Sequence, residues 1–336
     1  MISGESTVVN LAPLGTLQVG EVRNARSIAN QLQTSFQYEW FPKPLKLDPD
    51  FPALPNGGFD LEQAAETLLA DVPLPRPLIL LTSLPLSAPE HAADPEGLLF
   101  STGSFGDSDL VVVSTYLWEK LPGRKSLQSY LLLMMAGYAL QLCSKLAFYQ
   151  EALGCFFDSC DAAPDILKVF EGYGLCENCE LQLETKIRKG SLRLEYVASA
   201  KKLFNRAGGK KVCFMAMPFE ENLQPVYDLI AETLTQKNWT IVRADELARP
   251  RRIIDRILLS ILSSDLILAD LTGNNPNVFY ELGLAHAVGA DVILLTQENQ
   301  LPFDVNAEQT IFYKTSDQEL KKLARQLGRL AGRGAW

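Results

Sequence analysis

From residue 210 onward, short unbroken apolar runs alternate with longer segments whose apolar residues recur at helical spacing. The first kind reads as strands buried on both faces, the second as amphipathic helices. By this pattern Val212 to Met217 is a strand, and Leu223 to Lys237 a helix with Val226, Leu229, Ile230, Thr233 and Leu234 on its apolar stripe. Trp239 to Val242 is a strand, Arg252 to Leu262 a helix and Asp265 to Asp270 the next strand. A polar Gly/Asn turn leads into a helix from Pro276 to Val288, with Asn275 suited to the N-cap and Pro276 to the first helical position. Asp291 to Thr296 is a strand, Thr310 to Tyr313 a short edge strand, and Asp317 to Leu330 a last helix. Five strands with interleaved helices imply an α/β fold: a doubly wound, five-stranded parallel sheet with flavodoxin-like layer order.

The first 200 residues are patterned less regularly. Helices are expected over Val22 to Phe36 and Leu61 to Ala70, strands over Leu78 to Leu81 and Leu110 to Val113, and a long apolar helix over Leu127 to Tyr149. The Pro-rich stretch Phe41 to Pro55 reads as loop or edge. The polar, basic, Gly-containing segment 201–209 marks a linker between domains 1–200 and 210–336. No internal repeat is visible.

Composition narrows the classes of function. A net charge of -9 argues against a broad electrostatic grip on nucleic acid, so no strong nucleic-acid binding is expected. The longest apolar run, Tyr130 to Ala136, is far short of a membrane span, and the first residues lack the basic region of a signal peptide. Six cysteines point to a reducing compartment, and we expect a cytoplasmic protein. Only His91 and His286 are present, which leaves too few histidines for a HExxH metalloprotease and argues against Ser-His triads.

The segment Ala269 to His286 carries the most specific chemistry. Glu281 is the one acid on an otherwise apolar helix, and a carboxylate there needs a task or a partner. It lies just past the carboxyl end of a strand, where open α/β sheets bind ligands. Asn277, four residues earlier, shares its helical face. The blander readings are a Glu281 favoured by the helix N-terminus and an Asp270 that caps the following turn. His286 reads as a packing residue.

Phe214-Met215-Ala216-Met217-Pro218-Phe219, Arg243-Ala244-Asp245 and the run Asp270 to Gly283 together resemble the nucleoside 2-deoxyribosyltransferase-like branch of the TIR-like fold, over about Lys210 to Ala331. The resemblance implies that Glu281 attacks or stabilises the anomeric carbon of an N-glycoside. Such a reaction passes through an oxocarbenium-like state, which a carboxylate stabilises or traps as an ester. Asp270 and Asp245 would hold ribose hydroxyls. Main-chain amides of the segment Met217 to Glu220 would receive a phosphate or base edge, with Met217, Pro218, Phe219, Asn274 and Asn275 against the ligand. Transferases of free nucleosides are expected to be short single-domain chains. A second domain of about 200 residues instead resembles bacterial defence and signalling proteins that join a TIR-like domain to a sensor.

Cys155 and Cys160 form a C-x4-C pair, and Cys176 and Cys179 a C-x2-C pair fifteen residues later. Two close thiolate pairs suit a tetrahedral structural zinc, the alternative being buried thiols with no metal. Cys143 and Cys213 read as core. This pairing, with Leu11-Ala12-Pro13-Leu14-Gly15, the run Leu78 to Leu86 and the long helix, resembles archaemetzincins over most of residues 7–185. Where that family has its metal-binding helix, this chain has Met134-Met135-Ala136-Gly137-Tyr138-Ala139-Leu140, without ligating histidines or a general-base glutamate. The resemblance implies an inactive α+β zincin-like domain with no catalytic metal, turned to binding or scaffolding, through which a homo-oligomer or a partner protein would assemble. The combined expectation is an enzyme that hydrolyses or transfers an N-glycosidic bond of a nucleotide, with NAD or a nucleoside monophosphate as leading substrates. The alternative is a non-catalytic nucleotide-sensing module.

Overall fold

The structure is a computed structural model that describes residues 6–332 except 16, 18, 42–43, 47–49, 72–73, 88, 95–97, 105–108, 149–153, 159–163, 172–173, 245–252, 303–304 and 306–307. The chain divides after Gly208 into two compact α/β units.

The first unit holds strands β1 (Thr7–Pro13), β2 (Phe36–Trp40), β3 (Leu78–Thr82), β4 (Ser101–Ser104) and β5 (Leu110–Ser114) in the sheet order β2-β1-β3-β5-β4. The first three and β5 run parallel, and β4 pairs antiparallel at the edge of β5. The sheet is therefore parallel but for one antiparallel edge strand. Every residue of β3 and β5 is buried, as continuous apolar strands covered on both faces must be. Helices α1 (Val19–Leu32), α2 (Leu61–Asp71), α3 (Tyr116–Lys120), α4 (Leu127–Ser144), α5 (Asp165–Glu171), α6 (Glu177–Arg188) and α7 (Leu194–Ala207) complete the unit.

Helix α4 is the centre of this unit, buried from Tyr130 through Gln141. Ser126 caps it by accepting from the Ser129 amide, and Lys145 ends it in the left-handed region at φ 54. The helix thus stops short of the Tyr149 expected from the apolar run, and Tyr149 itself lies outside the described residues. Three tyrosines lock the helix to its surroundings. Tyr38 donates to the Met135 carbonyl at 3.0 Å, Tyr130 donates to the Ser114 carbonyl at 2.7 Å, and Tyr138 donates to Ser101 Oγ.

Two sequence expectations fail locally. The first helix ends at Leu32 rather than Phe36. The Gln33 side chain bridges the Ala29 and Phe36 carbonyls at 3.0 and 2.9 Å and accepts from the Phe36 amide at 2.8 Å, which turns the chain into β2. The expected linker 201–209 is, as far as Ala207, the end of α7. Its basic residues mask an apolar face of Ala200, Leu203, Phe204 and Ala207, and Lys201 pairs with Glu180 at 2.5 Å.

The second unit matches its pattern closely. It runs β6 (Lys211–Ala216), α8 (Gln224–Thr235), β7 (Trp239–Arg243), α9 (Ile253–Ser263), β8 (Leu266–Asp270), α10 (Pro276–Ala287), β9 (Val292–Thr296), β10 (Thr310–Phe312) and α11 (Asp317–Gly332). The sheet order is β10-β9-β8-β6-β7, parallel throughout, which is the flavodoxin-like order. Separate apolar clusters cover its two faces, one including Met215, Leu268 and Ile293, the other Phe214, Ile267 and Leu294. No helix among the described residues is long and apolar enough to cross a membrane.

Gly137, in the middle of α4, has the Phe156 ring flat against it: an added Cβ would lie 2.2 Å from Phe156 Cζ. Gly137→Ala should therefore displace that ring and cost about 1–3 kcal/mol. Urea unfolding of the variant beside the wild type checks this, and unchanged midpoints would show that the ring moves away freely.

Candidate functional site

In the second unit the register brings Met215 opposite Arg243, Ala216 opposite Ala269, and Asp270 opposite Leu295. Met217 and Asp270 consequently share the carboxyl edge of the sheet. The strand order reverses between β6 and β8, the place where a crevice forms in such sheets. Met217 and Pro218 are buried there, while Phe219 is 56% exposed. Asp245 lies outside the described residues.

Asp270 is fully enclosed. Its Oδ1 accepts from the Thr272 amide at 3.0 Å and from Thr272 Oγ1 at 2.6 Å, and its Oδ2 accepts from Tyr313 OH at 2.6 Å. Gln297 extends the network, its amide donating to Thr272 Oγ1 at 3.1 Å and its side chain to Tyr313 OH at 3.2 Å. Burial pushes the Asp270 carboxyl above its ordinary value, against these hydrogen bonds, which favour the charged form. Burial, and then the neighbouring carboxylate, push the Tyr313 hydroxyl up as well.

This network sets the turn that starts α10. Gly273 at φ 72 and Asn274 at φ 53 take left-handed conformations that glycine and asparagine tolerate. The Gly273 amide donates to Glu298 Oε1 at 3.1 Å. Asn275 caps the helix by accepting from the Asn277 amide at 2.9 Å, and Pro276 opens it, as expected. On α10, Val278, Glu281, Leu282 and Ala285 face inward. Glu281 is 6% exposed, whereas Asn277 is exposed despite its spacing of four residues. His286 sits near the far end of α10, with Nε2 3.5 Å from Glu308.

Arg243 has a setting that its position in the sequence does not suggest. At the end of β7 its guanidinium lies over the Tyr227 ring at 4.1 Å and the Phe219 ring at 5.5 Å, and donates to Gln224 Oε1 at 3.3 Å. Only the proximity of three separate segments reveals this cluster, and nothing in the local pattern announces it.

In the first unit the ligand atoms of Cys155, Cys176 and Cys179 all lie within 4.8 Å of one another. Cys160 lies outside the described residues. Cys176 is the N-cap of α6, its Sγ accepting from the Cys179 amide at 3.5 Å. Three converging thiols from a loop and a helix start fit the donor set of a structural zinc with sulfur ligands. Of the other two thiols, Cys213 lies in the core as expected and Cys143 is only half-buried; burial pushes Cys213 up to about 12 and Cys143 up to about 11.

No protein-family profile matches the chain, and no curated protein matches it. Among solved structures, it is similar to a 2-deoxyribosyltransferase from Leishmania mexicana, with 18% identity over 32% of this chain and 76% of that one at a TM-score of 0.25. A CMP N-glycosidase from Clostridium botulinum shows 23% identity over 34% of this chain and 98% of that one, at 0.28. An archaemetzincin from Methanopyrus kandleri shows 16% identity over 56% of this chain and 99% of that one, at 0.39.

Two outcomes follow from the geometry. A raised native pKa means that the folded state holds the Asp270 proton more tightly than the unfolded chain does. The stability this contributes is full below the unfolded value of 3.8 and is lost as pH rises through the raised native value. Relative to Asp270→Asn, which does not titrate, the wild type should lose melting temperature as pH climbs above 3.8. Paired thermal melts across that range check the sign. For the thiol cluster, metal analysis of the purified protein should find about one zinc per chain, and Cys176→Ser should lower that content together with thermal stability.

Proposed function

We propose that the second unit hydrolyses or transfers an N-glycosidic bond of a nucleotide, with Glu281 as nucleophile or electrostatic stabiliser. The observation that carries this reading is a buried carboxylate, 6% exposed, on the helix that follows the carboxyl edge of a parallel strand at the point of strand-order reversal. A carboxylate withdrawn from water acts strongly on a developing oxocarbenium charge, because little solvent screens it. Asp270, wholly engaged by Thr272 and Tyr313, serves in this reading as a positioning group that fixes the turn before α10. Asn274, Asn275, Asn277 and the Met217-Pro218-Phe219 segment would border the ligand, with Asp245 contributing a ribose contact. NAD and nucleoside monophosphates are the substrate classes in view, and a TIR-like effector role in defence or signalling is the biological setting that the sequence suggests.

A second reading has its own support. Asp270 has no exposed surface and Glu281 very little. An occluded pair of acids suits a module that closes around a nucleotide signal without turning it over.

The first unit, in this proposal, is held by a structural zinc on Cys155, Cys160, Cys176 and Cys179. Zinc there would cross-link the loop that carries Cys155 to the start of α6.

Incubation of the pure protein with NAD and nucleoside monophosphates, followed by chromatography of released base, tests the enzyme reading. Glu281→Gln keeps the shape and removes the charge. It should slow cleavage on the order of a hundredfold or more, comparable to losing a preorganised electrostatic group, while leaving the fold intact. Cleavage at the wild-type rate by this variant rejects the mechanism. Tight nucleotide binding with no turnover by the wild type selects the sensing module.

A further inference from the structure

The first unit contains a cavity of about 250 Å³ beside α4 and the start of β4, next to the segment that carries Cys155. Its lining includes Ser101, Met134, Tyr138, Phe148, Phe156 and Asp158. Three aromatic rings meet there. Tyr138 and Phe156 stand perpendicular with centroids 5.3 Å apart, and Phe148 lies 6.3 Å from the first and 6.0 Å from the second. Phe148 is 40% exposed and stands at the mouth, while Tyr138 and Phe156 are buried.

Asp158 gives this apolar space its chemistry. The residue is 6% exposed. Its Oδ2 accepts from the Cys155 amide at 2.8 Å, whereas Oδ1 is buried with no hydrogen-bond partner among the described residues. Buried acceptors in folded proteins are satisfied as a rule, so such an oxygen calls for a donor. The thiol cluster does not use it, because the three ligand atoms that converge are those of Cys155, Cys176 and Cys179. The nearby Lys168 is held by Asp165 at 2.7 Å. Segments 149–153 and 159–163 contain no Lys, Arg or His that would bring a cation from this chain.

We propose that this cavity binds an alkylammonium group, its charge set between Asp158 and the aromatic rings and its carbon chain against Met134. Aromatic faces attract cations through their quadrupole, most strongly where water is excluded, and a carboxylate supplies the acceptor that an ammonium N–H requires. The volume suits this class of ligand. An apolar cavity of about 150 Å³ accepts benzene, so the space here holds about ten heavy atoms. The site is independent of the N-glycosidase reading, since none of its residues belongs to the second unit.

The test is a titration of the full-length chain, labelled with ¹³C at its methionine methyls, with n-butylammonium chloride and with 1-butanol at matched ionic strength. Butylammonium should shift the Met134 methyl and leave Met215 and Met217 unmoved, and butanol should bind at least tenfold more weakly. Asp158→Asn keeps an acceptor for the Cys155 amide and removes the charge. It should weaken butylammonium at least tenfold without changing butanol. Phe148→Leu, at the exposed mouth, keeps apolar bulk and removes a ring face. It should weaken butylammonium severalfold, and it keeps the test decisive if the Asp158 variant fails to fold. Equal affinity for amine and alcohol, no shift with either, or wild-type binding by both variants overturns the proposal. A parallel arm titrates an end-blocked lysine tripeptide. Binding tighter than butylammonium that is abolished by acetylating the lysine assigns the group to a protein side chain, and binding of butylammonium alone assigns it to a free amine.

Discussion

A carboxylate sealed at the end of a central parallel strand needs every oxygen satisfied, and Asp270 imposes that constraint on the second unit. Water does not reach it, so its partners must come from the chain. Thr272 supplies two donors within the turn, and Tyr313, just beyond the edge strand β10, supplies the third. The outcome is a tie between the third and fifth strands of the sheet, made through side chains where no ladder could join them. The turn can then place Gly273 and Asn274 in left-handed conformations and still deliver Asn275 to the helix start. The depth of Glu281 on α10 depends on where that helix begins.

The first unit solves a different problem. Its central helix is apolar on all sides, so it must be covered on all sides, and α7 supplies one of the covers. Gly137 leaves room for Phe156, and Phe156 lies one residue after Cys155. The aromatic packing on α4 therefore also positions the thiol loop. Thiol cluster and core meet in the same short segment, and Asp158 ties that segment a second time through the Cys155 amide.

The second unit was legible in the sequence because its elements are locally consistent. Its buried strands are apolar without interruption, its helices have clean stripes, and the Asn275-Pro276 start follows backbone chemistry that needs no tertiary information. The first unit was less legible for reasons that can be named. Strand β1 contains Asn10, whose side chain donates to the Pro77 carbonyl at 3.1 Å, so a buried polar group interrupts the apolar run. Strand β2 follows α1 through a turn made by one glutamine side chain. The end of helix α7 carries two lysines and an arginine and runs straight into Gly208 and Gly209, so it passes for a linker, and only its packing shows which face is apolar. In the candidate site, Glu281 and Asp270 could be picked from their surroundings in the sequence. The absorption of Asp270 by Tyr313, forty-three residues away, could not.

The two acids of the second unit illustrate what burial does and does not imply. Both are nearly or fully withdrawn from solvent, yet they sit on elements of different mechanical character. Asp270 ends a strand whose neighbours on both sides are fixed by the ladder, and its oxygens are consumed in closing a turn. Glu281 is on a helix where Asn277, one turn earlier, and the adjacent Tyr280 are exposed, so polar and aromatic surface lies close to a buried carboxyl group. A reaction centre needs both: a solvent-facing rim to admit the ligand, and beneath it a carboxylate kept from water so that its field on a forming cation is not screened. In the proposed reading the strand supplies rigidity and the helix supplies the reacting carboxylate. The short turn between them, whose geometry Asp270 sets, is where, in that reading, a change of one hydrogen bond would move Glu281 relative to its rim.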